Sequence, residues 1–168
     1  MPKGSPQADL SLLQKNKNGL VYLTANDWAL IADKAVRTQF KAGDAIVQRE
    51  RRTHGIYIVL SGTATVQIPG YRVPRIIGPG EVCGEISFLD ELPATASVMS
   101  ATAVETFYLD TPLLRSLIEL FPHLGSRFYH SLAAILSRRL REMIGPAAVA
   151  EAASADPSKT DSSKKNSK

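Results

Sequence analysis

Between Gly84 and Thr95 the chain reads GEISFLDELPAT, and the types and order of these residues suit recognition of a phosphorylated sugar. A glycine opening a one-turn helix lets backbone N–H groups approach an anion closely, because no Cβ stands in the way. The amides of Gly84, Glu85, Ile86 and Ser87 would then converge on one point. The Glu85 carboxylate repels a phosphate but accepts hydrogen bonds from a sugar hydroxyl. Gly80 brackets the same turn from its other side.

Other chemistry is poorly served. A metal-dependent barrel enzyme needs several ligands clustered on its strands. Of the three histidines, His54, His123 and His130, only His54 falls in the β-rich part of the chain, at a turn before Gly55. No Gly-x-Ser-x-Gly elbow occurs, and the single cysteine, Cys83, has no histidine beside it to act as its base. Cys83 is expected to be a small buried packing residue. The chain is expected not to be an enzyme and to carry no metal.

Positioning such a site requires a scaffold, and the hydrophobic pattern supplies one. The segment TANDWALIADKA is predicted to be a helix, with Thr24 as its cap and Asp27 completing a capping box; Trp28, Ile31, Ala32 and Ala35 share one face. From Arg37 to Asp110 short β-rich runs alternate with glycines at positions 43, 55, 62, 70, 78 and 80, the spacing of an all-β sandwich or barrel. Pro69-Gly70 marks a hairpin tip, and Pro74 places the strand after it at a sheet edge. Helical spacing returns in DTPLLRSLIELF, capped by Asp110 or Thr111 and stopped by Pro122, with Leu113, Leu114, Leu117, Ile118 and Phe121 on its apolar face. A longer helix is predicted from about Ser126 to Met143, with Phe128, Leu132, Ile135, Leu136, Leu140 and Met143 as its stripe. The expected fold is therefore mainly β with flanking helices, a β-roll or jelly-roll barrel with one N-terminal helix and two C-terminal helices.

Length and composition agree with this organisation. The 168 residues suffice for one well-packed domain, and 44% hydrophobic with 21% charged residues is a globular composition. Residues 1–19 are expected to be a flexible segment, 20–145 the domain, and 146–168 a disordered Ala/Ser/Lys tail that buries too little apolar surface to offset its ordering entropy. A net charge of +4 permits acidic partners without requiring nucleic acid. The polar start MPKGSPQADL lacks the apolar core of a secretion signal, and no apolar run approaches the roughly 18 residues that cross a bilayer. A cytoplasmic location without membrane contact is expected.

Four segments in order carry a specific resemblance: FKAGDAIVQRE (Phe40 to Glu50), GIYIVLSGTATV (Gly55 to Val66), GPGEVCGEISFL (Gly78 to Leu89) and PATASV (Pro93 to Val98). Together with the order of helices and strands they make the chain similar to the cyclic nucleotide-binding domain, the effector domain of cyclic AMP receptor proteins, over most of Thr24 to Glu142. In that family the phosphate-binding cassette is Gly-Glu, a short helix, a polar loop, then Pro-Arg and a small or hydroxylated residue. The resemblance implies cyclic AMP or cyclic GMP as the ligand. It implies that Glu85 holds the ribose 2′-hydroxyl, that the Gly84 to Ser87 amides meet the cyclic phosphate, and that Thr95 offers a hydroxyl near phosphate or base. The family's arginine is here Ala94. Losing one member of a buried charge pair costs about 2–5 kcal/mol, and each 1.4 kcal/mol is about tenfold in affinity. Arg72 and Arg75, after the hairpin, are the candidate substitute cations, and Arg49, Arg51 and Arg52 lie before the GIYIVLSG strand.

The expectation is a non-enzymatic regulatory module that acts through a protein partner, with nucleotide binding weakened or altered by Ala94. The alternative is an active cyclic nucleotide sensor in which another arginine replaces the missing one. By resemblance, the last helix supplies a lid and a dimer contact, so Leu132, Ile135, Leu136 and Leu140 are the residues expected to cover the cavity or to meet a partner or a second copy. Beyond Gly145 there is no apolar periodicity for two packed DNA-binding helices, so specific DNA recognition by this chain alone is not expected.

Overall fold

Thr24 and Asp27 start the first helix, α1 (Ala25–Lys34), as a reciprocal capping box: the Asp27 N–H donates to the Thr24 hydroxyl at 3.2 Å, and the Thr24 N–H donates to the Asp27 carboxylate at 2.8 Å. The computed structural model from which this geometry comes describes residues 11, 13–14, 19–70 and 74–154, with side chains as far as 145. Trp28 and Ile31 project from α1 into the core.

Eight strands follow: β1 (Val36–Phe40), β2 (Ala45–Val47), β3 (Gly55–Ser61), β4 (Ala64–Gln67), β5 (Arg75–Ile77), β6 (Val82–Cys83), β7 (Ser97–Ser100) and β8 (Val104–Asp110). A short helix, α2 (Glu85–Asp90), lies between β6 and β7. The strands form two four-stranded antiparallel sheets, ordered β1-β8-β3-β6 and β2-β7-β4-β5. The jelly-roll expectation holds in this two-sheet form, without a closed barrel. β5 is an edge strand, as Pro74 requires.

β3 explains where the cores lie. Successive side chains on a strand point to opposite faces, and here both faces are apolar. Ile56, Ile58 and Leu60 join a core with Trp28, Leu114 and Phe128 on the helix side of the sheet. Tyr57 and Val59 face the interior of the roll, among Ile46, Ala64, Ile77 and Val98 of the second sheet. Gly55, at the start of β3, has no room for a side chain, since a Cβ there would meet the Leu109 carbonyl and come 2.6 Å from the Tyr108 ring.

After β8 come α3 (Thr111–Leu120) and α4 (Pro122–Ser154). On α3, Leu114 and Leu117 are buried and Ile118 packs against them, whereas Leu113 and Phe121 are exposed. Pro122 stops one helix and opens the next, because a first-turn residue has no intrahelical acceptor for an N–H. α4 therefore starts four residues before the expected Ser126. It also passes the expected end at Met143 and runs to Ser154, into the segment expected to be a disordered tail; the alanine-rich run from 147 to 153 has the highest helix propensity available. Residues 155–168 lie outside the described residues. At the other end, Leu13 is buried in the helix-side core. The chain divides into two compact units, one reaching Ile135 and one beginning at Leu136.

Within the first unit, α4 is tied to α1 by charge. Arg127 donates from Nε and from a terminal nitrogen to the two Asp27 oxygens, each at 2.7 Å. That pairing, with the Thr24 hydrogen bonds and against the effect of burial, lowers the Asp27 pKa from 3.8 to about 2. The folded chain thus binds fewer protons at Asp27 than the unfolded chain does. The stabilisation is complete above the ordinary carboxylate range and is lost as pH falls toward about 2. Replacing Asp27 by Asn should lower the melting temperature at pH 7 and flatten its dependence on pH between about 4 and 2, measured by circular dichroism; an unchanged acid limb would contradict this assignment.

Candidate functional site

Gly84 caps α2 with φ +85°, a left-handed conformation that disfavours any residue with a Cβ. A side chain there would also come 2.7 Å from the Gly55 carbonyl oxygen and 3.1 Å from Thr53 Cγ2. The glycine therefore lets the turn before α2 lie directly against the start of β3. From this turn Glu85 and Ser87 are directed to buried positions, Glu85 with only 2% of its surface exposed, while Ile86 and Leu89 face outward. Phe88 stacks near Tyr129 and meets Phe128 edge-on, each at 6.1 Å between ring centroids, so the back of α2 rests on α4. The helix ends at Glu91, itself in a left-handed conformation with φ +61°.

Glu91 is held by α3. Arg115 donates to its carboxylate at 2.6 Å, and this contact, assisted by the charge of Arg52, holds the Glu91 pKa below the usual carboxylate range. The loop returns through Pro93 to Ala94, which is buried at 6% exposure in the apolar interior of the roll, beside Cys83 and Val98. The Ala94 N–H donates to the Arg51 carbonyl at 2.9 Å, and the Glu50 N–H donates to the Ala94 carbonyl at 2.8 Å. Thr95, next in sequence, is exposed. The residues singled out from the sequence thus divide. Gly84, Glu85, Ser87 and Ala94 lie on the inner side of the segment, and Ile86 and Thr95 do not.

Of the candidate substitute cations, Arg72 lies outside the described residues. Arg75 stands opposite Val66 on β4, and Val66 stands opposite Val98 on β7, so the three share one face of the sheet, the face that lines the roll. Its guanidinium is 3.3 Å from the Glu81 carboxylate, which also accepts the Gly78 N–H at 2.9 Å. Arg75 therefore stands on the sheet face that lines the roll, and its charge is already shared with Glu81.

The sequence did not reveal a cavity of about 230 Å³ beside the connection between β2 and β3. Ala45, Ile46 and Val47 of β2 form one wall, and Tyr57 and Tyr108 form another, with ring centroids 4.9 Å apart. The connection between β2 and β3 adds Arg51, Arg52 and His54. The run ERRTH was legible as a basic loop; its closure over two tyrosines from distant strands was not.

The long stripe on α4 also divides. Phe128, Leu132 and Ile135 are buried in the helix-side core, Leu136 is half-buried, and Leu140 and Met143 are exposed at 55% and 40%. His130 stacks on Tyr22 at 3.7 Å, and no cluster of metal-ligating side chains occurs among the described residues. Cys83 is buried, as expected.

The family model for the cyclic nucleotide-binding domain matches residues 37–120, half of the chain. The chain belongs to the cyclic nucleotide-binding domain family. Among its relatives, the cyclic AMP receptor protein of Thermus thermophilus is 33% identical over 110 residues, 63% of this chain and 49% of that protein. Cyclic GMP-binding protein C of Dictyostelium discoideum is 27% identical over 131 residues, 75% of this chain and 5% of that protein. A cyclic nucleotide-binding domain from Methylobacillus flagellatus has the same fold, with a TM-score of 0.71 at 17% identity, covering 84% of this chain and 81% of that one. The domain thus spans about half the length, or much less, of these two curated relatives. No helix among the described residues is long and apolar enough to cross a membrane.

The cassette depends on Gly84 for both conformation and clearance. Gly84→Ala should cost about 1–3 kcal/mol through left-handed strain and backbone collision, seen as a lower midpoint in urea unfolding. A neutral variant would show that the turn has another way to close.

Proposed function

We propose that this cyclic nucleotide-binding domain is a non-enzymatic regulatory module that acts through a protein partner and whose response to cyclic AMP or cyclic GMP is weakened by Ala94. The observation that carries this reading is the place of Ala94. It sits inside the roll at the end of the cassette and packs with apolar neighbours, where the family's arginine would present a charge to the cyclic phosphate. Glu85 is buried at the other end of the segment, and by resemblance to the family it would hold the ribose hydroxyl. Relatives named as a cyclic AMP receptor protein and a cyclic GMP-binding protein support a nucleotide ligand without choosing between the two.

Arg75 favours a second reading. It faces the roll interior from β5, and a ligand phosphate that drew it away from Glu81 would restore the missing cation. In that reading the domain is an active sensor.

Titration calorimetry with both nucleotides separates the two readings. In the first, Ala94→Arg raises affinity at least about tenfold, in keeping with a buried charge pair, and Glu85→Ala in that background removes about 1.5–3 kcal/mol, the range for a hydrogen bond to a charged group. In the second, the unaltered domain already binds tightly, Ala94→Arg adds nothing, and Arg75→Ala abolishes binding.

The partner surface is assigned to the distal part of α4, where Leu140 and Met143 are exposed beyond the buried Ile135. Exposed apolar side chains on one helix mark an interface more often than an isolated one does. Replacing Leu136 and Leu140 together by polar residues should abolish a homodimer or a partner complex in light scattering or pull-down, with the roll still folded by circular dichroism. Loss of folding in the double variant would instead make these residues core.

A further inference from the structure

The arginines of the first compact unit are not alike. Arg37 pairs with Glu105, Arg49 with Glu50, Arg75 with Glu81, Arg115 with Glu91 and Arg127 with Asp27. Among the described residues up to Ile135, Arg51 and Arg52 are the two arginines without an ion pair. Both line the same cavity. Two adjacent guanidinium groups at one rim raise each other's energy unless an anion lies between them, and a concave site of one sign concentrates ions of the other.

The rest of the lining fits an anion with an apolar body. No acidic side chain lines the cavity. Of the nearby carboxylates, Glu50 pairs with Arg49 at 2.8 Å and Glu91, which also feels the charge of Arg52, pairs with Arg115 at 2.6 Å, while Asp110 accepts the hydroxyl of the lining residue Tyr108 at 3.5 Å. Thr53 and His54 add polar groups at the rim, and Ala45, Ile46 and Val47 an apolar wall. Tyr57 and Tyr108 present aromatic surface, and burial, the largest effect on each, raises both phenol pKa values, so they remain O–H donors at neutral pH. A volume of about 230 Å³ lies below the roughly 300–1,000 Å³ of pockets that enclose drug-sized ligands. It suits a single ring with one head group.

We propose that this cavity is a second ligand site, separate from the cassette, for a small aromatic oxyanion. The ring lies against Tyr57, Tyr108 and the apolar wall of β2, and the phosphate or carboxylate head is held by Arg51 and Arg52. The site is wired to the cassette whatever the cassette itself binds. Arg51 accepts the Ala94 N–H, Glu50 donates to the Ala94 carbonyl, and Thr53 packs against Gly84, so both ends of the cassette rest on the connection that the anion would order.

Phenyl phosphate, inorganic phosphate and benzyl alcohol, titrated into the full chain by calorimetry and by amide NMR, test the proposal. Phenyl phosphate should bind one to one, at least tenfold more tightly than inorganic phosphate, with benzyl alcohol giving no measurable heat. The Ala94 amide resonance should shift in step with occupancy. The double variant Arg51→Ala, Arg52→Ala, at exposed positions, should bind at least tenfold more weakly with an unchanged melting temperature. Equal affinity for phenyl phosphate and inorganic phosphate, or binding indifferent to the double variant, would overturn the proposal in favour of loose anion condensation on a basic surface. Displacement of phenyl phosphate by stoichiometric cyclic AMP would overturn it too, because cavity and cassette would then be one site.

Discussion

The molecule is organised by the need to bury both faces of β3. Ile56 and Ile58 on one side and Val59 on the other are fully enclosed, so helices must cover one face and the second sheet the other. Fully burying side chains of this size contributes about 1.5–3 kcal/mol each, and neither face can be uncovered without losing several of them. The helix-side core and the roll interior are therefore one strand apart. Close-packed interiors transmit displacement, and a change in the roll is felt by α3 and by the part of α4 that packs on the sheet.

The cassette is attached to this frame at several points of different chemistry. Gly84 lies against the backbone of Gly55, Phe88 rests on two aromatic rings of α4, and Glu91 is paired with Arg115 of α3. These contacts join the segment to β3, α3 and α4. That is the physical basis for reading the domain as a device that reports its state through helices. These attachments involve Gly84, Phe88 and Glu91 and not the Ala94 side chain.

Charge is distributed to the same end. Arginines that link elements are matched with carboxylates: Arg127 joins α4 to α1, Arg115 joins α3 to the cassette and Arg37 bridges β1 to β8. Arg51 and Arg52, which form no ion pair within 4 Å among the described residues, sit beside the loop that carries the cassette. An anion there would act on the cassette through backbone hydrogen bonds, which are short, directional and indifferent to side-chain identity.

Much of the scaffold was determined by the sequence alone, because local rules govern it. The capping box at Thr24 and Asp27, the glycine-punctuated strands, the edge strand after Pro74 and the buried faces of α1 and α4 follow from periodicity, caps and turn chemistry. The glycine that opens α2 was legible too, as a turn residue before a short helix. Tertiary structure decided the rest. Pro122 opens α4 as well as closing α3, since tolerance of proline at a first helical turn does not say which helix the turn belongs to. The stripe on α4 reads as continuous and is split between core and surface, because periodicity fixes a face without saying how far its cover extends. Arg75 could be seen as a cation but not as one that faces the roll and is matched by Glu81, and Arg51 and Arg52 could be seen as a basic loop but not as the rim of a cavity. Those facts depend on pairings between strands far apart in the chain, which only the packed sheets bring together.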